Sequence, residues 1–468
     1  MKRVLRVAVM VGLFLALVAG LPGELTDRGL AQAPERPNVV VIMTDDQRAE
    51  DLAHMPNVQR LLVEEGTTFK NFTIALPTCC PSRASFLRGQ YAHNHRVGFS
   101  AGTADYFANS GKHSSTVATW LDGAGYRTGQ VGKYLNGFSM RRNTPPGWDR
   151  FYANLDRDVW SRCFNSDARE KCKRKGNIDA HLAGVAEGFV KSSGGGGGPF
   201  FLWFSPNAPH QFGNGPPPAP EAALSRLAEK PMPRGPAFNE ADVSDKPSWI
   251  RNEPRLGKRR VESMTREYRA RLTSLQVVDH AVGRLVATLE ERGELDNTYL
   301  LFTTDNGYHM GEHRLAQGKM TPYLTDVRFP LIVRGPGVPE GATRDEMVQN
   351  VDLAPTIAEL ANAKVPGFVD GRSMAPLLRG KPTNWRNAAF FEGAGRHPFT
   401  GITTEGGLHY VEYGSGAREL YDLNVDPHQL ENLLGPGSPQ DPRAPKLAAK
   451  LAGLRSCAAE TCRRAQKP

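Results

Sequence analysis

The sequence predicts an α/β fold, a mostly parallel sheet covered by helices on both faces, followed by a smaller antiparallel unit at its C-terminal end. Two observations predict it. Short apolar runs bounded by turn residues recur between residues 38 and 333 with helical patterns between them, the texture of buried parallel strands joined by crossover helices. From about residue 388 the texture changes to shorter alternating segments.

Taken in order, the runs 38–43, 199–204, 298–302 and 329–333 read as strands, with a weaker candidate at 126–131. Helical patterns at 56–65, 268–292 and 353–363 supply the cover. Pro81 favours the first turn of a further helix over 82–87. In the C-terminal unit, segments 407–413 and 419–421 alternate as strands, and a helix over 446–455 closes them. The Gly-rich stretch 192–198 and the Pro-rich stretch 215–220 read as surface loops. Residues 216–260, rich in Pro, Arg and Glu, are expected to make a long excursion over the surface near a substrate cleft.

The 468 residues suffice for one large domain and a smaller one, placed at 34–387 and 388–468. Residues 1–33 read as a signal peptide. Lys2, Arg3 and Arg6 precede the apolar run 7–21, and Ala31-Gln32-Ala33 offers a cleavage site near Ala33. The run falls short of the ~20 residues of a spanning helix, and no second one follows. The expected protein is therefore secreted or held at the cell envelope, with no membrane span after cleavage. Ordinary usage, 40% apolar and 23% charged residues, excludes disorder, collagen and coiled coil. A net charge of +9 suits an anionic ligand as well as plain solubility, and nothing points to nucleic acid. Among six cysteines, Cys163 lies close to Cys172 and Cys457 close to Cys462, so each pair is expected to close a disulfide loop after export. Cys79 and Cys80 are left, adjacent and unexplained.

In open α/β sheets ligands bind outside the carboxyl ends of the strands. There the sequence places Asp45 and Asp46 after the first run and Asp305 with Asn306 after the third. Three carboxylates and an amide are a hard oxygen set, suited to Ca²⁺ or Mg²⁺ rather than zinc. One such pair alone is more often a turn or helix cap; two at equivalent strand ends shift the balance. Lys133 and His210 follow two further strand candidates. Cys79 stands at the positive N-terminus of the helix that Pro81 opens, with Arg83 one turn on, where a nucleophile or an anion is stabilised. A buried structural thiol and a vicinal disulfide with Cys80 remain open on these residues alone.

Cys79, Pro81, Ser82, Arg83, Leu87 and Gly89 together resemble the signature of type I sulfatases. The resemblance continues through Asp45-Asp46, Gly132-Lys133, Pro209-His210, Asp305-Asn306-Gly307, residues 330–337 and Glu419-Leu420-Tyr421-Asp422-Leu423. It implies an alkaline-phosphatase-like fold and a Cys79 oxidised to formylglycine by a generating enzyme acting on the unfolded chain. It implies one Ca²⁺ bound by Asp45, Asp46, Asp305, Asn306 and residue 79. Arg83 and Lys133 would hold the formylglycine hydrate, Asp305 would act as its base, and His210 and Lys319 would contact the sulfate and the leaving oxygen. Within the family, Cys79-Cys80-Pro81-Ser82-Arg83, His93-Asn94-His95 and the run Asp305 to His309 look most similar to N-acetylglucosamine-6-sulfatases. That likeness implies a sulfated sugar such as a glucosamine 6-sulfate, with His93, His95 and His309 lining its pocket.

Two positions depart from the family pattern. Asn136 stands where many members carry a histidine after the Gly132-Lys133 pair, and Arg88 replaces a common Thr at a position expected to lie on a helix surface. Other readings are an arylsulfatase, a phosphonate or phosphodiester hydrolase of the same fold, and a non-catalytic secreted binder of sulfated glycans in which Cys79 stays a thiol.

Overall fold

In the computed structural model, ten strands form one sheet. Their order is Ala342–Arg344, Thr67–Phe69, Leu331–Arg334, Thr298–Thr304, Asn38–Thr44, Phe200–Ser205, Arg127–Gly132, Arg150–Asn154, Cys163–Ser166 and Arg169–Cys172. The five from Thr298–Thr304 to Arg150–Asn154 are mutually parallel. The structure describes residues 36–98, 103–138, 144–154, 163–167, 169–172, 177–193, 198–210, 227, 229–380 and 384–467. The 1–33 leader lies outside the described residues, among which no helix is long and apolar enough to cross a membrane.

The central strand Asn38–Thr44 shows why the sheet is covered on both faces. Val39, Val41 and Met43 pack into one apolar cluster with Phe86, Leu121 and Ile357, while Val40 and Ile42 pack into a second with Leu182, Leu275 and Val282. Because alternate residues point to opposite faces, a strand apolar at every position requires an apolar layer on each side. The helices Cys79–Arg88, Val117–Gly123 and Leu353–Leu360 supply the first layer; Ile178–Lys191 and Lys258–Glu291 supply the second.

Several elements differ from expectation. Leu331–Arg334 runs antiparallel to Thr298–Thr304, so the sheet is mixed on that flank. The 56–65 helix is a single α turn, Pro56–Val58, running on into a π turn, Gln59–Val63. The long helix starts at Lys258 instead of 268, because residues 258–267 contain no Gly or Pro to break it and this polar start of the helix is largely solvent-exposed. The expected excursion is correspondingly shorter, and its residues 216–226 and 228 lie outside the described residues.

Ala388–Gly393, Phe399–Thr404, Leu408–Tyr413 and Arg418–Asp422 form a four-stranded antiparallel meander. Helix Ala444–Arg455 covers it through Leu447, Leu451 and Leu454. A disulfide joins Cys457 to Cys462. Cys163 and Cys172 stand opposite each other in their hairpin, and their side chains lie outside the described residues.

Candidate active site

Strand register creates the site. Thr44 pairs with Thr304, so Asp45-Asp46 and Asp305-Asn306 leave adjacent parallel strands side by side, fixed by Asp305 N donating to Thr44 O at 3.1 Å. The Asp46 N–H then donates to Asp305 Oδ1 at 3.2 Å, and Asn306 Nδ2 to Asp46 Oδ1 at 2.6 Å. All four residues are buried.

Two more strand ends add Lys133 and His210. A side chain at Gly132 would put its Cβ 1.9 Å from Ser205 O at a φ of 116°, so only glycine lets the chain turn there into Lys133. The Lys133 ammonium pairs with Asp45. Beyond Phe200–Ser205, the Asp179 carboxylate accepts from the Asn207 and Ala208 N–H groups at 2.7 and 3.1 Å, shaping the turn that delivers His210. His210 Nε2 lies 3.6 Å from Asp46 Oδ2, on the site's more open side.

The helix expected over 82–87 spans Cys79–Arg88, and Gly89 ends it in the left-handed region at φ 65°. Its first turn carries Cys79, whose Sγ lies 3.4 Å from Asp45 Oδ1 and 2.6 Å from Lys319 Nζ. One turn on, Arg83 Nε donates to Asp305 Oδ2 at 2.8 Å and Nη1 to Lys133 O at 2.7 Å and Ser205 Oγ at 2.9 Å. Lys319 also pairs with Asp46.

Burial and neighbouring charge set the protonation states. Burial disfavours a charged Asp45, yet Lys133, His210 and Arg83 outweigh it and hold the carboxyl well below its ordinary value. Burial and the Asp45 charge push Asp305 up to about 6. Burial, with Asp45 beside it, pushes the Cys79 thiol up to about 12, so the chain's own groups leave residue 79 a protonated, weak nucleophile. Burial lowers His210.

The donor set accommodates a hard dication. Asp45, Asp46, Cys79 and His210 offer ligand atoms all within 4.8 Å of one another. The buried Asn306 Oδ1 accepts no hydrogen bond, leaving a carbonyl oxygen free for a cation.

Cys79, Arg83, Lys133, His210, Lys319, Asp45, Asp46, Asp305 and Asn306 thus converge. The three other histidines expected at the site, His93, His95 and His309, do not join this cluster. His309 donates through Nδ1 to the buried Asp326 at 3.0 Å and is bridged by its backbone to Gly318, next to Lys319. His93 Nδ1 meets Glu392 at 3.1 Å on the wall of a 470 Å³ cavity that Leu76, Arg96, Tyr413 and Arg455 also line. His95 does not line a pocket. It is 0% exposed, with Nε2 on Ser85 Oγ at 3.0 Å and Nδ1 accepting from Val97 N, because the 92–97 turn folds it against the Cys79 helix.

Arg88 is buried, contrary to expectation: it donates to the Lys112 and Ser115 carbonyls and stacks 4.1 Å from the Phe368 centroid. The Asn136 carbonyl accepts from Thr103 Oγ1, which in turn meets Cys80 Sγ at 2.7 Å, so Asn136 sits behind the Cys79 helix turn. Sequence reasoning missed Asp179, Arg271, Asp326 and Glu392, which belong to no motif and act through tertiary contacts.

A family model described as Sulfatase matches residues 37–363, and one described as N-sulphoglucosamine sulphohydrolase, C-terminal, matches residues 311–456. An arylsulfatase of Volvox carteri is 33% identical over 92% of this chain and 76% of its own. The N-acetylglucosamine-6-sulfatase of Capra hircus is 30% identical over 94% of this chain and 87% of its own. A solved structure in complex with its substrate D-glucosamine-2-N,6-O-disulfate superposes with a TM-score of 0.70 at 24% identity, covering 90% of this chain and 97% of that one. This last likeness speaks for the fold.

Proposed function

The chain belongs to the sulfatase family and is a sulfuric ester hydrolase, and we propose that it cleaves a sulfate ester on a sugar such as a glucosamine 6-sulfate. In this reading Cys79 is converted to formylglycine, and Asp45, Asp46, Asp305, Asn306 and residue 79 hold a Ca²⁺, Mg²⁺ being the other fitting ion. The observation that carries it is the convergence of Cys79 with Asp45, Arg83, Lys133 and Lys319 at the helix N-terminus.

When present, the formylglycine hydrate supplies a nucleophilic hydroxyl together with a second one whose deprotonation releases the product, and the dication supplies Lewis acidity. The chain's own residues do the rest. Lys133, Lys319 and Arg83 offset negative charge around residue 79, in a buried setting where such charges act strongly. Asp305, which follows strand Thr298–Thr304 beside Asp45 and Asp46, is the carboxylate assigned to accept the nucleophile's proton. His210, on the open side, donates a proton to the departing sugar oxygen.

Two further features support the reading. Residue 79 is only 4% exposed, which fits conversion by a generating enzyme before the chain folds. The Cys457–Cys462 disulfide and the basic, apolar, small-residue leader fit an exported protein. The likeness to the goat enzyme favours a sugar, with His93 and Glu392 lining its pocket; the 33% identity to the Volvox protein favours an aryl sulfate as the second reading.

The test is mass spectrometry of the residue 79 peptide from protein made with and without a generating enzyme, beside sulfate release from N-acetylglucosamine 6-sulfate and from an aryl sulfate. Aldehyde content and activity are expected to rise together. Full activity in a preparation whose residue 79 is entirely cysteine would sink the mechanism, and turnover of the aryl ester alone would favour the second reading.

A further inference from the structure

We propose that Arg271 is a positioning residue of this site, fastening three strand-end loops to one another from a helix that carries none of the motif residues. Arg271 lies in Lys258–Glu291 and is 0% exposed. Its Nη2 donates to Asp46 O and its Nη1 to Pro209 O at 3.1 Å, while the guanidinium lies 3.9 Å from the Tyr308 ring centroid. Asp46, Pro209 and Tyr308 follow three adjacent parallel strands, Asn38–Thr44, Phe200–Ser205 and Thr298–Thr304.

Each contact bears on a reacting group. Asp46 sits at φ 64°, so fixing its carbonyl fixes the direction in which its carboxylate leaves the chain toward Asn306, Lys319 and His210. Pro209 O belongs to the peptide that leads into His210. Tyr308 follows the Asp305-Asn306-Gly307 turn and is held from the same helix face by Glu267, 3.3 Å from its hydroxyl and one turn before Arg271. A planar guanidinium can serve two carbonyls along its edge and a ring on its face at once; a lysine ammonium cannot.

The helix has other anchors. Leu275, Val278, Val282, Leu285 and Leu289 already bury the helix against the sheet, and Leu272 packs against Met310. Arg271→Lys should therefore fold while loosening the loops.

The inference rests on the roles proposed for Asp46 and His210, and the test separates the two. Converted, Ca²⁺-loaded enzyme is compared as wild type, Arg271→Lys, Arg271→Ala and Tyr308→Leu for kcat, KM and thermal midpoint. In Arg271→Lys, kcat should fall on the order of 10²-fold, the size of effect a small misplacement produces, with KM and the midpoint little changed. Tyr308→Leu should reproduce part of the loss, and added guanidinium should restore part of kcat to Arg271→Ala. Wild-type kcat in Arg271→Lys, or a loss that follows the folded fraction and resists guanidinium, overturns the positioning role. Wild-type activity in Asp46→Asn and His210→Ala, assayed alongside, would instead overturn the reading of the site itself.

Discussion

Lys319 reaches Cys79 across 240 residues of sequence, its ammonium 2.6 Å from the sulfur while it pairs with Asp46. The same lysine therefore faces both the nucleophile position and the carboxylate beside it. Burial opposes its charge, and Asp46 with Cys79 more than compensates, holding the ammonium well above its ordinary range. Its charged form is thereby favoured.

In the proposed mechanism a cation held here would stabilise charge that develops on the sulfuryl oxygens. Lys319→Met should reduce kcat by about 10²–10³-fold, the cost of removing one preorganised group that meets transition-state charge, with a folded-state spectrum like the wild type's. Steady-state kinetics and circular dichroism check this together. A loss confined to KM would show that the lysine only gathers substrate.

The oxygen set predicts a cation requirement. Dialysis against a chelator should abolish turnover and Ca²⁺ should restore it, with Mg²⁺ compared in parallel. Asn306→Ala removes the buried amide oxygen that accepts no hydrogen bond, so it should raise the Ca²⁺ concentration needed for half-maximal activity by about tenfold or more. Calorimetric titration measures that shift without assaying turnover, and unchanged affinity would remove Asn306 from the ligand set.

How much of this was legible in the sequence follows from range. Asp45, Asp46, Asp305 and Asn306 follow apolar runs and Lys133 follows a weaker strand candidate, and a run that reads as a buried strand points at its own carboxyl end. His95 looked like its neighbour His93, yet a turn only a few residues long sends one to a cavity wall and the other into the core. Arg88 read as a helix-surface residue because the chain segments that cover it, around Lys112 and Phe368, are far away in sequence. Arg271 was invisible for the same reason: its acceptors lie 62 and 225 residues away, and nothing in its own helix marks it.

His95 makes stability pH-dependent. Burial lowers it from 6.5 to about 3, so between those values the unfolded chain binds a proton that the folded chain refuses. Its contribution is complete above pH 6.5 and is lost as pH falls from 6.5 toward 3. By pH 5 the loss is about 2 kcal/mol, at 1.36 kcal/mol per unit. His95→Gln lacks this titration, so its urea midpoint should fall less between pH 7 and pH 5 than the wild type's. His409, likewise buried and lowered to about 3, keeps its own acid sensitivity in both proteins. Parallel midpoint curves would refute the assignment.

The Cys457–Cys462 bridge closes a short loop whose Cys457 carbonyl receives His93 Nε2 and Asn94 Nδ2, each at 3.0 Å. A loop this short restrains the unfolded chain by about 2 kcal/mol in the chain-entropy model. Replacing both cysteines with Ala should cost about that much in urea unfolding. It should also raise KM for a sugar sulfate more than it lowers kcat, because His93 and Glu392 line the cavity and do not touch the catalytic cluster. Equal effects on both constants would place the bridge's influence in the cluster instead.

The final prediction concerns which oxygen His210 serves. A proton donor to the leaving group matters in proportion to how poorly that group departs on its own: a sugar alkoxide needs the proton, a nitrophenolate hardly does. His210 stands where it can provide one, 3.6 Å from Asp46 Oδ2 and about one-third exposed. Burial lowers its ordinary value, whereas Asp45 and Asp46 favour its charged form. His210→Ala should therefore depress kcat on a sugar sulfate by about 10²–10⁴-fold, the usual worth of general-acid catalysis, and should depress turnover of a nitrophenyl sulfate far less. A series of aryl sulfates of graded phenol pKa would then show a steeper dependence on leaving-group basicity in the variant than in the wild type. Equal losses on sugar and nitrophenyl esters would mean that His210 binds the sulfate oxygens, and the leaving-group proton would have to come from Lys319.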